Sequence, residues 1–333
     1  MKNKIAVIGA GSFGTSLAML LVSKGHDVSI WGRKKSQMAL MRDTLENPHY
    51  LPGIKLPREL RIVDEMEDAL KDAEIILFSV PAQQFRGVLN TAKEYMTGNE
   101  IIVNVAKGIE KGTLLRLSEV AKEIMPEVRY VTLSGPSHAE EVAKALPTTV
   151  AVAAEDEELA KMIQNVFNTD RFRVYTNDDI AGVELGGSLK NIIALGAGIS
   201  DGMGFGDNAK AAMMTRGITE MSRLGIAMGA KPETFSGLTG LGDLIVTCTS
   251  MHSRNRRCGI MMGEGKTVEE AKEEIGMVVE GLSTAEAAGA LAEKYNIEMP
   301  ITQCICLMIE GKITAIQAVE ILMGRETKNE MQI

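Results

Sequence analysis

A lysine three residues after a pair of glycines is the residue of this chain best suited to proton transfer. Lys190 lies in the segment 184–191, ELGGSLKN. A helix would place Gly186 and Lys190 on one face, with a bare surface beside the ammonium group. Glycine inside a helix costs about 1 kcal/mol relative to alanine, so Gly186 and Gly187 predict that another group, such as a nicotinamide, packs there. A lysine whose pKa is lowered by burial or by nearby positive charge can exchange a proton with a carbonyl or alcohol oxygen, as hydride transfer requires. The alternative is an exposed surface lysine.

Two further polar segments follow predicted strands. Lys107 comes shortly after the apolar run Ile101–Val105, and the segment Ser134–Ala139 (SGPSHA) follows the run Tyr130–Leu133. Open α/β sheets bind their ligands at the carboxyl ends of the strands. We therefore expect both segments to line one crevice.

The segment Ser253–Arg257 (SRNRR) is the densest basic cluster of an otherwise acidic chain. Arginine binds phosphate through paired hydrogen bonds, and Ser253 and Asn255 add further hydrogen-bonding groups. The cluster, flanked by a glycine-rich segment that ends at Asp243, predicts a site for a substrate phosphate. The alternative is a solvated helix start. An extended nucleic-acid site is excluded, because no aromatic residues are interleaved and the net charge is negative.

A glycine motif near the start of the chain predicts a dinucleotide site. The segment Gly9–Gly14 (GAGSFG) follows the strand-like run Ile5–Ile8 and opens a helical pattern. Gly9 would allow a tight turn, Gly11 would let backbone amides approach a pyrophosphate, and Gly14 would allow close helix packing, while the helix N-terminus faces the anion. The alternative is a glycine turn without a ligand.

The end of the second predicted strand bears on the choice of cofactor. An acidic residue about 20 positions after the glycines would hold the ribose 2′-hydroxyl of NAD. This chain instead has Arg33, Lys34 and Lys35 there, which would attract a 2′-phosphate. The segment therefore predicts NADP(H) as cofactor, and NAD(H) remains possible if the guanidinium tolerates a free ribose. The alternative is a solvated basic helix start.

The elements that would position these residues change type halfway along the chain. Short, nearly continuous apolar runs alternate with amphipathic stretches, which indicates a parallel, doubly wound sheet covered by helices on both faces. The runs interpreted as strands are Lys4–Ile8, Val28–Trp31, Ile75–Val80, Ile101–Val105, Tyr130–Leu133 and Thr148–Ala153.

Strand signals stop after about Asp178, and the rest of the chain is expected to be helical. Three pairs predict capping boxes at helix starts: Thr267 with Glu270, Ser283 with Glu286, and Thr314 with Gln317. Two glycine-rich segments, 201–208 and 236–243, are interpreted as loops near the site. We thus expect an α/β fold with a Rossmann-type N-terminal domain (1–180) and an all-α substrate-binding domain (181–333).

Composition supports a folded protein of ordinary globular type. Its 333 residues are 45% hydrophobic and 24% charged, with a formal net charge of −8, which gives no general electrostatic reason to bind nucleic acid or an anionic membrane. Four cysteines without paired metal-ligand spacing predict neither a zinc site nor a disulfide framework. No signal peptide or membrane-spanning segment is apparent, so a cytoplasmic protein without membrane insertion is expected.

These segments together resemble the NAD(P)-dependent glycerol-3-phosphate dehydrogenases over essentially the whole chain. The resemblance rests on the segments already described and on 278–281 (VVEG) near the C-terminus. It implies reversible hydride transfer between NAD(P)H and carbon 2 of dihydroxyacetone phosphate, which gives sn-glycerol 3-phosphate for phospholipid synthesis. It also implies a homodimer.

The resemblance assigns roles to individual residues. It implies that Lys190 is the proton donor and acceptor and that Lys107 and Asp243 help to hold the substrate. The implied contacts of glycerol phosphate are Lys107, Gly135, Ser137, Lys190, Asp243, Ser253, Arg254 and Asn255. The implied contacts of the cofactor, besides the three motif glycines, are Ser12, Phe13, Arg33, Lys107, Ala139, Arg254, Val278 and Glu280.

Two other functions are weighed against this one. A 3-hydroxyacid or 6-phosphogluconate-type dehydrogenase would share the architecture and a lysine behind glycines, but the segments 239–243 and 253–255 match it less well. A sensor that binds NADPH without turnover would be expected to lack Lys190 or the basic cluster, and both are present.

Overall fold

The computed structural model describes residues 2–327, 329 and 330, which form two compact units. Unit 1 comprises the residues up to Ala106 together with Leu117–Ile180, and unit 2 comprises Lys107–Arg116 and the residues from Ala181 onward. The sequence places one boundary near residue 180. In the structure, the chain also enters unit 2 and leaves it again between Ala106 and Leu117.

Unit 1 is built around a sheet of mainly parallel strands. Its strands are β1 (Lys4–Ile8), β2 (Asp27–Trp31), β3 (Glu46–Asn47), β4 (Leu51–Lys55), β5 (Arg61–Val63), β6 (Ile75–Phe78), β7 (Ile101–Asn104), β8 (Arg129–Ser134), β9 (Thr148–Ala154) and β10 (Phe172–Asn177). Its helices are α1 (Ser12–Ser23), α2 (Lys35–Thr44), α3 (Met66–Leu70), a 3₁₀ turn (Ala82–Gln84), α4 (Phe85–Lys93), α5 (Leu117–Ile124), α6 (Ala139–Ala143) and α7 (Glu157–Phe167).

The strand order of the main sheet is β10-β9-β8-β7-β6-β1-β2-β5, with β3 and β4 in a separate antiparallel pair. This order confirms the predicted Rossmann-type fold class. The strands β1, β6 and β7 are buried almost throughout, as expected for strands covered on both faces. The expectation of a fully parallel sheet is wrong at one pair, because β9 runs antiparallel to β8.

Apart from Lys107–Arg116, the described part of unit 2 is built of helices. Its helices are α8 (Ile180–Gly202), α9 (Asp207–Ala227), α10 (Pro232–Phe235), a π-helical turn (Leu238–Gly242), α11 (Asp243–Thr249), α12 (Arg254–Gly263), α13 (Val268–Ile275), α14 (Glu280–Tyr295), α15 (Pro300–Ile309) and α16 (Ala315–Met323). Helix α8 is buried without interruption from Gly182 to Ser200. Such a helix forms the centre of its unit rather than one side of it.

Three expectations about the helical half are corrected by the structure. The capping boxes at Thr267 and Thr314 are confirmed, but Ser283 lies inside α14, and its hydroxyl donates to the Glu280 carbonyl. Segment 201–208 is only partly a loop, because α8 ends at Gly202 and α9 begins at Asp207. Segment 236–243 contains the π-helical turn and the first residue of α11. Among the described residues, no helix is long and apolar enough to cross a membrane.

Candidate active site

Two lysines meet one buried aspartate in unit 2. Lys190 lies in the middle of α8, Asp243 is the first residue of α11, and Lys107 begins the Lys107–Arg116 segment. Lys190 Nζ lies 2.5 Å from Asp243 Oδ1, and Lys107 Nζ lies 2.6 Å from Asp243 Oδ2. Only 5% of Lys190 and 1% of Asp243 is exposed. The structure therefore brings together the predicted proton donor and the two residues that the resemblance assigns to holding the substrate.

Thr247 completes this cluster, and the sequence analysis missed it. Its Oγ1 donates to the Asp243 carbonyl over 2.6 Å and accepts a hydrogen bond from Lys190 Nζ over 2.6 Å. Thr247 is four residues after Asp243, so both side chains lie on one face of α11. The four-residue spacing from Asp243 was the feature of the sequence that could have identified Thr247. An ammonium group has three N–H donors, and two of those of Lys190 are directed at Asp243 and Thr247.

The surroundings of Lys190 prepare it for proton transfer near neutral pH. Burial lowers the pKa of Lys190 to about 8; Asp243 opposes this effect and the nearby Lys107 cation adds to it. Burial disfavours the charged form of Asp243, but the Lys107 and Lys190 ammonium groups outweigh it and hold the pKa of its carboxyl below the ordinary value. A proton donor works best with a pKa near the working pH. The cluster thus holds an acid that can give up or take back a proton.

At Gly186 another part of the protein occupies the space that a side chain would fill. A Cβ at Gly186 would lie 2.6 Å from the Thr239 carbonyl oxygen, so the backbone of the π-helical turn occupies the bare face of α8. The prediction that another group packs against this face is confirmed at Gly186, where that group is the backbone of the turn. The absence of a side chain lets this turn approach α8 closely, and the turn leads directly into Asp243. Gly186 thereby helps to place the aspartate beside Lys190.

The basic cluster is divided between structural and accessible residues. Ser253 is the N-cap of α12, where its Oγ accepts a hydrogen bond from the Arg256 amide. Arg256 forms an ion pair with Asp201, with 2.7 Å between Nη2 and Oδ2, and is not available as part of a phosphate fork. Arg254 is exposed in the first turn of the helix. The predicted contacts of Ser253, Arg254 and Asn255 with a substrate phosphate stay predictions.

Asn255 links three helices. Its Nδ2 donates to Asn191 Oδ1 over 2.9 Å, and its Oδ1 accepts from the Gly281 amide over 2.8 Å. These bonds tie α12 to α8 and α14.

Two residues predicted to contact the cofactor lie at the start of α14. Glu280 is the first residue of this helix, and Val278, two residues earlier, is 44% exposed.

In unit 1, the glycine motif has the geometry of a pyrophosphate cradle. Gly9 has φ +119°, and a Cβ there would lie 2.5 Å from the Ser79 carbonyl oxygen. A Cβ at Gly14 would lie 2.1 Å from the Gly9 carbonyl oxygen, whereas one at Gly11 would meet no atom within 4 Å. The open space over Gly11 lies at the N-terminus of α1, where no side chain caps the helix. These residues fit the pyrophosphate of a dinucleotide.

Polar side chains hold this cradle in shape. The Ala10 carbonyl accepts hydrogen bonds from Asn47 Nδ2 over 3.0 Å and from Gln37 Nε2 over 2.7 Å. Ser12 Oγ donates to the Tyr50 carbonyl over 2.5 Å. Phe13 packs against the hydrophobic core. Ser12 and Phe13 thus stabilise the loop, and a role in binding the cofactor stays a prediction for both.

The three cations after β2 are not equivalent. Lys35 pairs with Glu65, whereas Arg33 and Lys34 are exposed and form no ion pair with any residue that the structure describes. Arg33 and Lys34 are therefore the two cations that could pair with a 2′-phosphate bound near the end of β2.

The segment after β8 turns sharply. Gly135 has φ +136°, and a Cβ there would lie 3.0 Å from Val150 Cα. Ser137 Oγ donates to the Gly135 carbonyl over 2.9 Å, and Ala139 is the buried first residue of α6. Their predicted contacts with substrate and cofactor stay predictions.

A Rossmann-type unit with a glycine cradle, joined to a helical unit that buries a lysine against a carboxylate, is the arrangement of a nicotinamide-dependent dehydrogenase. Comparison with known families narrows this class. The model for the N-terminus of NAD-dependent glycerol-3-phosphate dehydrogenase matches residues 4–160, and the model for its C-terminus matches residues 179–320. The chain belongs to the NAD-dependent glycerol-3-phosphate dehydrogenase family.

Individual relatives agree with this assignment. The chain is 51% identical over 335 residues to glycerol-3-phosphate dehydrogenase [NAD(P)+] of Pelotomaculum thermopropionicum, with 100% of this chain and 96% of the relative covered. It is 53% identical over 332 residues to the enzyme of the same name from Bacillus thuringiensis, covering 99% and 98% of the two chains. The crystal structure of glycerol-3-phosphate dehydrogenase from Coxiella burnetii superposes with a TM-score of 0.94 at 41% identity, over 97% of this chain and 99% of that one.

Proposed function

We propose that this protein catalyses the reversible, NAD(P)H-dependent reduction of dihydroxyacetone phosphate to sn-glycerol 3-phosphate. The buried cluster of Lys190, Asp243 and Lys107 is the observation that carries the proposal, because it supplies the proton that carbonyl reduction needs. The names of the relatives and the family match support the choice of substrate. They favour it over a 3-hydroxyacid or 6-phosphogluconate-type substrate.

Lys190 is the proposed proton donor in reduction and the acceptor in oxidation. When bound, the reduced nicotinamide supplies a hydride to carbon 2 of the substrate. Lys190 Nζ gives its proton to the carbonyl oxygen, so that the ketone becomes a secondary alcohol and the lysine becomes a neutral amine. Asp243 and Thr247 fix the direction of the Lys190 ammonium group. Lys107 has its charge beside the same carboxylate and helps to hold the substrate.

The phosphate of the substrate is assigned to Arg254 and the N-terminus of α12. Arg254 is exposed in the first turn of that helix, where backbone amides and the helix dipole favour an anion. Ser253 and Asn255 support this region by capping α12 and tying it to α8. Gly135 and Ser137 are proposed as further substrate contacts.

The cofactor is assigned to the cradle of Gly9, Gly11 and Gly14 in unit 1. The open space over Gly11 and the uncapped start of α1 support this assignment. Arg33 is proposed to favour NADP(H), since its guanidinium forms no ion pair with any residue the structure describes. The remaining proposed cofactor contacts are Ser12, Phe13, Lys107, Ala139, Arg254, Val278 and Glu280.

The proposed setting is the supply of glycerol phosphate for phospholipid synthesis in the cytoplasm. Four free cysteines, three of them buried, are compatible with a reducing compartment. A homodimer is proposed from the family resemblance. Exposed apolar side chains on α16, Ile316 and Met323, are compatible with such an interface.

The proposed reaction is tested by following nicotinamide absorbance during NADPH oxidation with dihydroxyacetone phosphate and, separately, with unphosphorylated dihydroxyacetone. Rapid turnover of the phosphate ester alone is expected. Failure of both compounds, despite tight NADPH binding, would shift the function to a carboxylated substrate or to a sensor. Repeating the assay with NADH measures the cofactor preference.

A further inference from the structure

Lys107 reaches Asp243 from a short excursion of the chain, Lys107–Arg116, which we call the arm. The chain leaves unit 1 after Ala106 and returns to it at Leu117. The arm closes on itself through an isolated antiparallel bridge between Ile109 and Arg116 and a 3.0 Å hydrogen bond from the Glu110 amide to the Leu115 carbonyl. It is therefore a compact loop with Lys107 near one end and Arg116 at the other.

The arm is fastened to unit 2 at Ile109 and at Arg116 as well as at Lys107. The side chain of Ile109 is fully buried in the hydrophobic core of unit 2, which also contains Leu185 and Leu189 of α8. Arg116 Nη1 lies 3.1 Å from Glu184 Oε2, with side-chain exposures of 16% and 5%. This ion pair is largely removed from water, so breaking it by changing one partner is costly.

A second ion pair of the arm differs in its exposure. Lys111 pairs with Glu286 of α14, and the two side chains are 43% and 68% exposed. Exposed pairs of this kind contribute little to stability. Of these two ion pairs of the arm, one is buried and the other is solvated, so the effects of removing each can be compared directly.

The buried pair is attached to the same helix as the proposed proton donor. Glu184 precedes Lys190 on α8 by less than about two helical turns. The ion pair between Arg116 and Glu184 therefore also holds the arm against the helix that carries Lys190.

We propose that Arg116 is a positioning residue, whose ion pair with Glu184 fixes the arm so that Lys107 stays on Asp243. The kinetic part of this inference rests on the proposed reaction. Without the pair, Ile109 still anchors the arm, but the end that carries Arg116 loses this ion pair to α8, and Lys107 is held less firmly at the carboxylate.

The consequence for Lys190 has a definite sign. The charged and titratable groups around it are Asp243 and Cys248 on α11 and Lys107 on the arm. Lys107 lowers the pKa of Lys190 by repulsion. It also pairs with Asp243, whose negative charge raises that pKa. If Lys107 moves away, the repulsion weakens and the attraction to Asp243 strengthens, so the pKa of Lys190 rises. The rate of reduction, which needs the protonated lysine, would then fall at higher pH than in the unmodified protein.

The test compares Arg116→Gln with Lys111→Gln, which makes the same change from cation to amide in the exposed pair. For Arg116→Gln we expect kcat/KM for dihydroxyacetone phosphate to fall by about 10- to 100-fold and the alkaline limb of the reduction profile to move up by about half a pH unit or more. For Lys111→Gln we expect kcat/KM within about twofold of the unmodified protein and an unmoved limb. Arg116→Lys, which keeps the charge, should recover part of the loss.

Effects on folding are separated from effects on catalysis by the double variant Arg116→Gln/Glu184→Gln, which removes both charges of the pair. It should unfold at a higher temperature than Arg116→Gln alone and yet keep the kinetic defect and the moved limb. Wild-type-like kinetics in Arg116→Gln, or a loss of activity that only tracks the loss of folded protein, would overturn the inference.

Hydrogen exchange provides a readout that does not depend on the proposed reaction. The amides of Glu110 and Leu114 are hydrogen-bonded within the arm, and we expect the peptide covering 107–116 to exchange faster in Arg116→Gln but not in Lys111→Gln. Equal exchange in both variants would overturn the inference even if the enzyme acts on another substrate. Absence of turnover in the unmodified protein would refute the proposed function and leave the exchange result to decide on the arm.

Discussion

Replacing Asp243 with asparagine removes the one negative charge that lies against both lysines of the site. Asp243 contacts Lys190 at 2.5 Å and Lys107 at 2.6 Å, and it is 1% exposed. Asparagine keeps the size and part of the hydrogen bonding but takes the carboxylate charge away from the buried Lys190 ammonium group and the part-buried Lys107 ammonium group. The pKa of Lys190 then falls further below its ordinary value, since burial and Lys107 still lower it and the carboxylate no longer raises it.

The size of the effect follows from the burial of the cluster. Breaking a buried ion pair costs about 3 kcal/mol or more, and each tenfold change in a protonation equilibrium corresponds to about 1.4 kcal/mol. With a pKa of about 8, Lys190 is mostly protonated at neutral pH. Loss of about 3 kcal/mol would reduce the protonated share at pH 7 from roughly nine-tenths to under about one-tenth. With the loss of orientation added, the rate of reduction at pH 7 should fall about 100-fold.

The two directions of the reaction should respond differently. Reduction needs the ammonium form of Lys190 and is lost as pH rises through its pKa, so in Asp243→Asn its alkaline limb moves to lower pH. Oxidation of glycerol 3-phosphate needs the neutral amine, so its rate should rise at lower pH than before and suffer less. Initial rates in both directions, measured from about pH 6 to about pH 10, test this asymmetry.

A matched control removes a buried carboxylate elsewhere in unit 2. Glu220 is 3% exposed and accepts hydrogen bonds from the Ile301 and Thr302 amides. Glu220→Gln should lower stability without moving either limb. If the limbs of Asp243→Asn coincide with those of Glu220→Gln, Asp243 does not control the proton on Lys190, and the electrostatic reasoning is refuted.

Three further predictions concern the donor, the cofactor and the packing of the site. Lys190→Ala should lose turnover by about 100- to 10,000-fold with NADPH binding largely kept, and equal activity in steady-state assays would refute its role as donor. Arg33→Asp should weaken NADPH binding while NADH use is spared or improved, and unchanged discrimination between the cofactors would contradict the assignment of the ribose phosphate to Arg33. Gly186→Ala would place a Cβ 2.6 Å from the Thr239 carbonyl oxygen and should cost about 1–3 kcal/mol of unfolding free energy together with activity. Its control is Gly289→Ala in α14, where the nearest atom would lie at an ordinary 3.4 Å, and equal melting temperatures for the two variants would contradict the packing argument.

The buried strands could be predicted from the sequence because their apolar runs are continuous. The predicted run Lys4–Ile8 matches β1, and Ile75–Val80 exceeds β6 by two residues at its end. Neither face of these strands meets water, so hydrophobicity alone marks them. The antiparallel direction of β9 was not foreseen, because pairing direction depends on the path of the connecting chain.

The strands that were missed lie at edges or outside the main sheet. In β10, Phe172 and Val174 are buried and Arg173 and Tyr175 are exposed, an alternation that the search for continuous apolar runs overlooked. Strand β5 (Arg61–Val63) has three residues at the opposite edge of the sheet, and such short elements carry little periodic signal.

The sequence allowed us to predict which residues form the site, but not which other residues they contact. Lys190 was predicted as the proton donor and Lys107 and Asp243 as residues that hold the substrate, and the structure brings the three together. That Thr239, rather than a ligand, fills the space at Gly186 depends on how the π-helical turn folds back on α8. Likewise, the pairing of Arg256 with Asp201 joins residues 55 positions apart, a distance at which sequence spacing says nothing about contact.

The most direct test of the account is the pH dependence of the unmodified enzyme in both directions at saturating cofactor. The account predicts that reduction of dihydroxyacetone phosphate declines, and oxidation of glycerol 3-phosphate increases, through a common midpoint near the pKa of about 8 that burial gives Lys190. Both transitions should be absent from the residual rates of Lys190→Ala. Rates without a transition in this range, or a transition that persists in Lys190→Ala, would contradict the claim that Lys190 carries the proton.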